Sequence, residues 1–204
     1  MQVKYLIYLS LCYVLGSINT ALVLTYIFKQ ADIRAFGDGN AGATNVFQNV
    51  NRFLGAIVFL VDFIKGMLPF YIGHLLFFKG GVIVIGGALT ILGHDFPLFF
   101  DFKGGTGITS ILGGIFYIDR KIDIQILMFF VVSFLIFYFL RAHFFNFSYL
   151  EESEAIGFVL AIFLILKNGS IILKEYFFLS LSFVVFRHKD KVAEMFSGIK
   201  SAER

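Results

Sequence analysis

The chain has 204 residues, of which 58% are hydrophobic, only 15% are charged and 29 are phenylalanine. A mean hydropathy of +0.85 excludes an ordinary soluble domain and places the sequence in the class bounded by membrane spans. The formal charge of +3 is small and scattered, which argues against a nucleic-acid partner.

The first apolar run, 5–28, has a single lysine before it and no small-x-small exit site. It therefore reads as an uncleaved span and not as a signal peptide. Cys12, the lone cysteine, lies inside it, so no intrachain disulfide can form and the redox compartment stays open. Further apolar runs follow at 53–78, 81–100, 105–118, 122–140, 155–166 and 171–186. The first three and the fifth reach the roughly 20 residues that a hydrocarbon core requires. The fourth and sixth are shorter, and are either half-embedded or extended by flanking residues. With no repeat and no long linker, residues 1–204 read as a single domain. The expected fold is all-α, a polytopic integral membrane helical bundle of about seven transmembrane or half-embedded helices.

Lysine and arginine in the connections set the orientation. Lys29, Arg34, Arg52, Lys103, Arg141, Arg187, Lys189, Lys191, Lys200 and Arg204 fall on one side, and Lys4, Lys79, Arg120, Lys121 and Lys167 on the other. The richer side is expected to be cytoplasmic, which puts the N-terminus outside and the C-terminus inside. The polar segments 29–52, 93–106 and 187–204 then share the cytoplasmic face.

Two of those segments are rich in glycine. "GDGNAGATN" (37–45) contains a literal G-x-G-x-x-G, but apolar spans flank it where a dinucleotide site needs a strand, a helix and a βαβ unit. The nucleotide reading fails on context. An anion cradle of backbone N–H groups remains open, as does a plain turn in which Asn45 and Gln48 cap the second span. "GHDFPLFFDFKGGTG" (93–107) offers His94, Lys103, Gly104, Gly105 and Gly107 on the same face. His94 alone reads as a helix cap; two glycine-rich helix starts with a lysine between them point to a shared anion site. In the second span, Asp62 and Lys65 are spaced as an i, i+3 ion pair. In the tail, Val192, Met195, Phe196 and Ile199 form a short amphipathic stripe suited to the headgroup layer.

Taken in order, "GSINTALV", "GDGNAGATN", "DFIKG", "LGHDFPLFFDFKGGTG" and "RHKDKVAEMFSG" resemble the bacterial acyl-phosphate:glycerol-3-phosphate acyltransferases, the PlsY-type enzymes. The resemblance covers nearly the whole chain. It implies seven transmembrane helices in the bacterial cytoplasmic membrane, with three cytoplasmic motifs meeting at an interfacial site. The implied reaction is acyl transfer from acyl phosphate to the 1-hydroxyl of glycerol 3-phosphate, giving lysophosphatidic acid, with membrane lipid as surroundings and neither cofactor nor metal. Position by position, it assigns catalysis to Asn45, Lys103 and His188. It assigns substrate or phosphate binding to Gly39, Asn40, Gly42, Thr44, His94, Gly104, Gly105, Gly107 and Arg187; Lys191, which departs from the family, is expected to bind phosphate as a replacement cation.

The chain departs from the family pattern at Asp38 (serine in the family), Gln48 (arginine), Thr106 (lysine), Lys191 (asparagine), Glu194 (arginine) and Lys200 (glutamate). Three outcomes follow: an enzyme with a rearranged cationic shell, a substrate-shifted relative, or an inactive relative that binds lipid or a partner. A transporter would want ionisable residues along several spans, and only Asp62, Lys65, Lys174 and Glu175 qualify. Oligomeric state is left open.

Overall fold

The computed structural model describes residues 2–143 and 149–187. Among these, the α-helices are α1 (Gln2–Ser17), α2 (Thr20–Lys29), α3 (Ala43–Asn49), α4 (Arg52–Leu75), α5 (Gly81–Asp95), α6 (Ile108–Ile118), α7 (Arg120–His143), α8 (Tyr149–Asn168) and α9 (Ile171–Arg187). A single 3-10 turn stands at Ile33–Ala35, and no strand occurs among the described residues. The all-α expectation holds. Gln2–Lys29 and Arg52–Leu75 are long and apolar enough to cross a bilayer. Leu6, Leu11, Met128, Leu135 and Phe139 lie exposed along α1 and α7, a distribution suited to lipid contact.

Three boundaries differ from the sequence reading, each for a local reason. The run 5–28 breaks into α1 and α2 at Asn19, whose side-chain oxygen accepts from Leu22 N–H at 3.0 Å while its amide donates to the Ala41 carbonyl at 3.1 Å. Asparagine offers the backbone a local alternative to the helical ladder. The run 81–100 ends as a helix at Asp95, because Phe96 leaves the helical region ahead of Pro97. Asp101 and Phe102 then turn the chain at φ 55, and α6 begins only at Ile108. Finally, Asn45 does not cap the second span. It lies inside the separate α3, and Asn51 is the cap, accepting from the N–H groups of Phe53 and Leu54 at 2.8 and 3.1 Å.

The break at Asn19 leaves the Ile18 carbonyl without a helical partner, and Lys65 Nζ fills the gap at 2.7 Å. Lys65 also meets Asp62 Oδ1 at 2.9 Å, and Thr20 Oγ1 donates to that same oxygen at 3.0 Å. Both charged side chains are buried, so the i, i+3 pair ties the α1–α2 break to the middle of α4.

Helices approach at glycines. A Cβ on Gly66 of α4 would overlap the Ser110 carbonyl, and one on Gly113 of α6 would overlap that of Phe63. Gly16 and Gly93 make the same kind of crossing between α1 and α5. Between helices in a membrane the drive comes from such close packing and from interhelical hydrogen bonds. Those bonds are present: Ser110 Oγ donates to the Asp62 carbonyl at 2.9 Å, Tyr176 hydroxyl to the Ser110 carbonyl at 3.3 Å, and Tyr8 hydroxyl to the Pro69 carbonyl at 2.7 Å. By contrast, α7 and α8 pack chiefly on one another and reach the remaining helices through α6 and α9. Space is left between that pair and the α3–α4–α6 wall.

Candidate active site

The first glycine loop is held by side chains more than by regular structure. Asn45 is buried, and its amide nitrogen faces the carbonyls of Ile33, Phe36 and Asn40 at 3.3, 2.9 and 2.8 Å. Its oxygen accepts from Asn49 Nδ2 at 2.8 Å. Gly37 (φ 56) and Gly39 (φ 74) take left-handed conformations. Asp38 is exposed, and its carboxylate accepts from Asn40 N–H at 3.0 Å in a local turn. It forms no ion pair among the described residues, so a neutralising lysine or arginine is not seen there.

The second loop folds back on the end of α5. Gly104 and Gly105 N–H groups donate to the Asp95 and His94 carbonyls at 3.1 and 3.2 Å. A Cβ on Gly105 would collide with the His94 ring and would come within 2.7 Å of the Ala41 carbonyl, so glycine is what lets the two loops touch. Arg34 fastens them from outside: its Nη1 donates to the Phe100 and Lys103 carbonyls, each at 3.1 Å, while Asp32 grips the rest of the guanidinium. That grip holds the Asp32 carboxyl below its ordinary 3.8. Its stabilisation is thus complete at neutral pH and fades only as acid drives the pH down through that lowered value. Arg34→Ala should loosen the loop pair and lower kcat/KM about fivefold, close to 1 kcal/mol for a partly exposed tether, with Arg34→Lys intermediate. Steady-state kinetics on the two variants check this; unchanged kinetics in Arg34→Ala would show that the tether is dispensable.

Between the loops and the helices lies a cavity of about 770 Å³. Its mouth is polar, lined by Asp38, Asn40, Thr44, Gln48, His94 and Thr106, with Gly42, Asn45 and Gly107 beside them. Gly107 (φ 65) opens α6 without a side-chain cap, so the first N–H groups of that helix border the mouth. Asp62 also reaches the lining. Further in, the walls are apolar, with Phe59, Ile111, Ile115, Phe130, Phe134 and Phe177 contributing. Ile115 lies about 12 Å of helical rise beyond Gly107.

Of the sequence-predicted residues, Asn40, Gly42, Thr44, Asn45, His94 and Gly107 line this cavity. Gly39, Gly104 and Gly105 shape the loops without lining it, and the exposed Lys103 contributes its backbone carbonyl to the Arg34 tether. Arg187 lies at the end of α9, its guanidinium 5.7 Å from the Phe96 ring. His188, Lys191 and the amphipathic tail fall outside the described residues.

The family model described as glycerol-3-phosphate acyltransferase matches residues 6–198. The chain belongs to that family. A glycerol-3-phosphate acyltransferase of Francisella tularensis subsp. holarctica is 30% identical over 193 residues, covering 95% of this chain and 90% of that protein. The crystal structure of PlsY (YgiH), an integral membrane glycerol 3-phosphate acyltransferase, in its glycerol 3-phosphate form superposes with a TM-score of 0.76 at 26% identity, covering 98% of this chain and 96% of the other. Its lysophosphatidic acid form gives 0.74, also at 26% identity, with 96% and 93% covered. This acyltransferase is accordingly a membrane protein, and the glycine loops singled out in the sequence belong to an acyl-transfer scaffold. The apolar half of its cavity had no separate sequence signal, because a phenylalanine facing a chamber and one facing lipid look alike in one dimension.

Proposed function

We propose that the cavity transfers an acyl group from an acyl phosphate to the 1-hydroxyl of glycerol 3-phosphate, at the cytoplasmic end of a seven-span bundle in a bacterial cytoplasmic membrane. The spans would be α1 with α2, then α4, α5, α6, α7, α8 and α9. Lys29, Arg34, Arg52, Lys103 and Arg187 at the loop end support the orientation. The observation that carries the reading is the polarity gradient, a hydrogen-bonding mouth leading into an apolar chamber. Such a space suits an amphiphile with a phosphate head and a hydrocarbon chain.

In the reaction the glycerol oxygen attacks the acyl carbon, the bond from that carbon to the phosphate oxygen breaks, and the released phosphate can take up the hydroxyl proton. The donor is already activated, so the protein's task is to place two phosphates and to stabilise developing charge. The α6 N-terminus, Asn40, Thr44 and Thr106 line the cavity, and in this reading they bind the phosphates at the mouth. Asn45 acts by holding the first loop, and Lys103, Arg187, His188 and Lys191 are assigned to a cationic rim.

The described lining includes Asp38 and Asp62 but no lysine or arginine, which favours a weakened or substrate-shifted site as the second reading. Purified protein in lipid nanodiscs, supplied with acyl phosphate and glycerol 3-phosphate and scored for lysophosphatidic acid and phosphate, tests both. Thr106→Lys adds an ammonium group at the mouth and should raise kcat/KM about tenfold, the lower end of a charge-assisted phosphate contact. No product from wild type or from Thr106→Lys would reject acyl transfer between these substrates.

A further inference from the structure

Two small residues stand on the α8 wall of the apolar chamber. Helix α8 presents Gly157, Phe158 and Ala161 to it, and Gly157 and Ala161 are i, i+4 neighbours on one face. Gly157 differs from the glycines at the helix crossings. A Cβ there would find its nearest atoms, Phe130 Cβ and Cδ2, at 3.8 Å, an ordinary contact distance. Backbone packing therefore does not demand glycine at this position, and its small size leaves open volume.

The chamber also has a floor. Ala161 is the last α8 residue in the lining; Ile165, one turn on, is fully buried and lies outside it. On α6 the lining stops at Ile115, and on α9 it begins at Phe177, with the buried Tyr176 and Leu173 beyond. The connectivity gives the direction. The short step from Ile118 to Arg120 puts the start of α7 at the end away from the mouth, so α8 descends from Gly157 towards Ala161.

We propose that Ala161, with Gly157 one turn above it, determines how long an acyl chain the chamber accepts. The inference rests on the acyl-transfer reading, and it makes these two α8 residues specificity determinants that touch the far part of the chain, remote from the reacting atoms. Larger side chains there should shorten the accepted chain without altering the recognition of glycerol 3-phosphate.

The experiment compares wild type, Gly157→Leu, Ala161→Val and Ala161→Phe in nanodiscs with octanoyl, dodecanoyl and palmitoyl phosphates. Val159→Phe serves as control, because Val159 is 67% exposed on the outer side of α8. The expected result is a graded fall in the palmitoyl-to-octanoyl ratio of kcat/KM, at least tenfold for Ala161→Phe. KM for glycerol 3-phosphate and the Val159→Phe profile should not change. An unchanged ratio in active Ala161→Val and Gly157→Leu, or an equal loss at every chain length, would overturn the proposal. If wild type transfers no chain of any length, the functional reading has failed on its own. The gauge is then read from thermal stabilisation by lysophosphatidic acids of the same three lengths. A length cut-off that Ala161→Phe moves to shorter chains supports it, and a length-independent response rejects it.

Discussion

Gly66→Leu is expected to prevent the bundle from assembling. A side chain at this position meets the backbone of α6 at Ser110, which cannot swing aside as a flexible side chain would. The only relief is for α4 and α6 to part. Parting would break the Ser110 Oγ bond to the Asp62 carbonyl and the Tyr176 bond to the Ser110 carbonyl, and would open the wall of the cavity. Overpacking typically costs 1–3 kcal/mol, and two weakened buried hydrogen bonds add about 1 kcal/mol each, so the loss should reach about 3 kcal/mol or more. In detergent this would appear as a collapse of the monodisperse yield and of the thermal transition. Gly81→Ala is the matched control, because nothing lies within 4 Å of a Cβ there. It should be neutral or slightly stabilising, since it removes glycine's backbone freedom from the first turn of α5. A Gly66→Leu protein as stable as wild type would mean that the crossing is looser than it stands here.

The crossing glycines mark the limit of what the sequence discloses. Apolar runs were enough to anticipate an all-helical membrane protein, because hydropathy is an additive property of a segment. Gly39, Gly42, Gly105 and Gly107 could be singled out because they cluster in polar loops. Gly66 and Gly16 are marked by the motifs "DFIKG" and "GSINTALV", but the reason for glycine there, as at Gly113 in the same kind of apolar run, is a partner helix, and a partner helix is a tertiary fact. The same holds for Asn19. The run 5–28 reads as one span, yet the contact of Asn19 with Ala41 breaks the first helix and sets the first loop against α2. Asn45 shows the converse case. Its place in a motif marked it for chemistry, whereas its hydrogen bonds go to three loop carbonyls and to Asn49.

The polar network at the α1–α2 break leads to the second large effect. Lys65→Met should destabilise the protein by about 3–5 kcal/mol, because it strands the Asp62 carboxylate in a buried site. It also takes from the Ile18 carbonyl the donor that meets it among the described residues, Lys65 Nζ. Removing both charges together, Asp62→Leu with Lys65→Met, should recover most of that loss, since a buried pair replaced by apolar residues of similar volume is often neutral. The double variant would keep a residual deficit of about 1–3 kcal/mol for the unpaired carbonyl. Thermal unfolding of wild type, both single variants and the double variant gives the coupling energy directly. Activity then separates the two roles that Asp62 can have, since it lines the cavity as well as pairing with Lys65. Its Oδ1 already accepts from Lys65 and Thr20, which makes it first of all the counter-ion of the break. The double variant is therefore expected to retain acyl transfer within about tenfold of wild type, less than about 1.4 kcal/mol in the barrier. A double variant that regains its stability but loses transfer by a thousandfold would place the Asp62 carboxylate on the substrate, and the buried pair would then belong to the active site as well as to the fold.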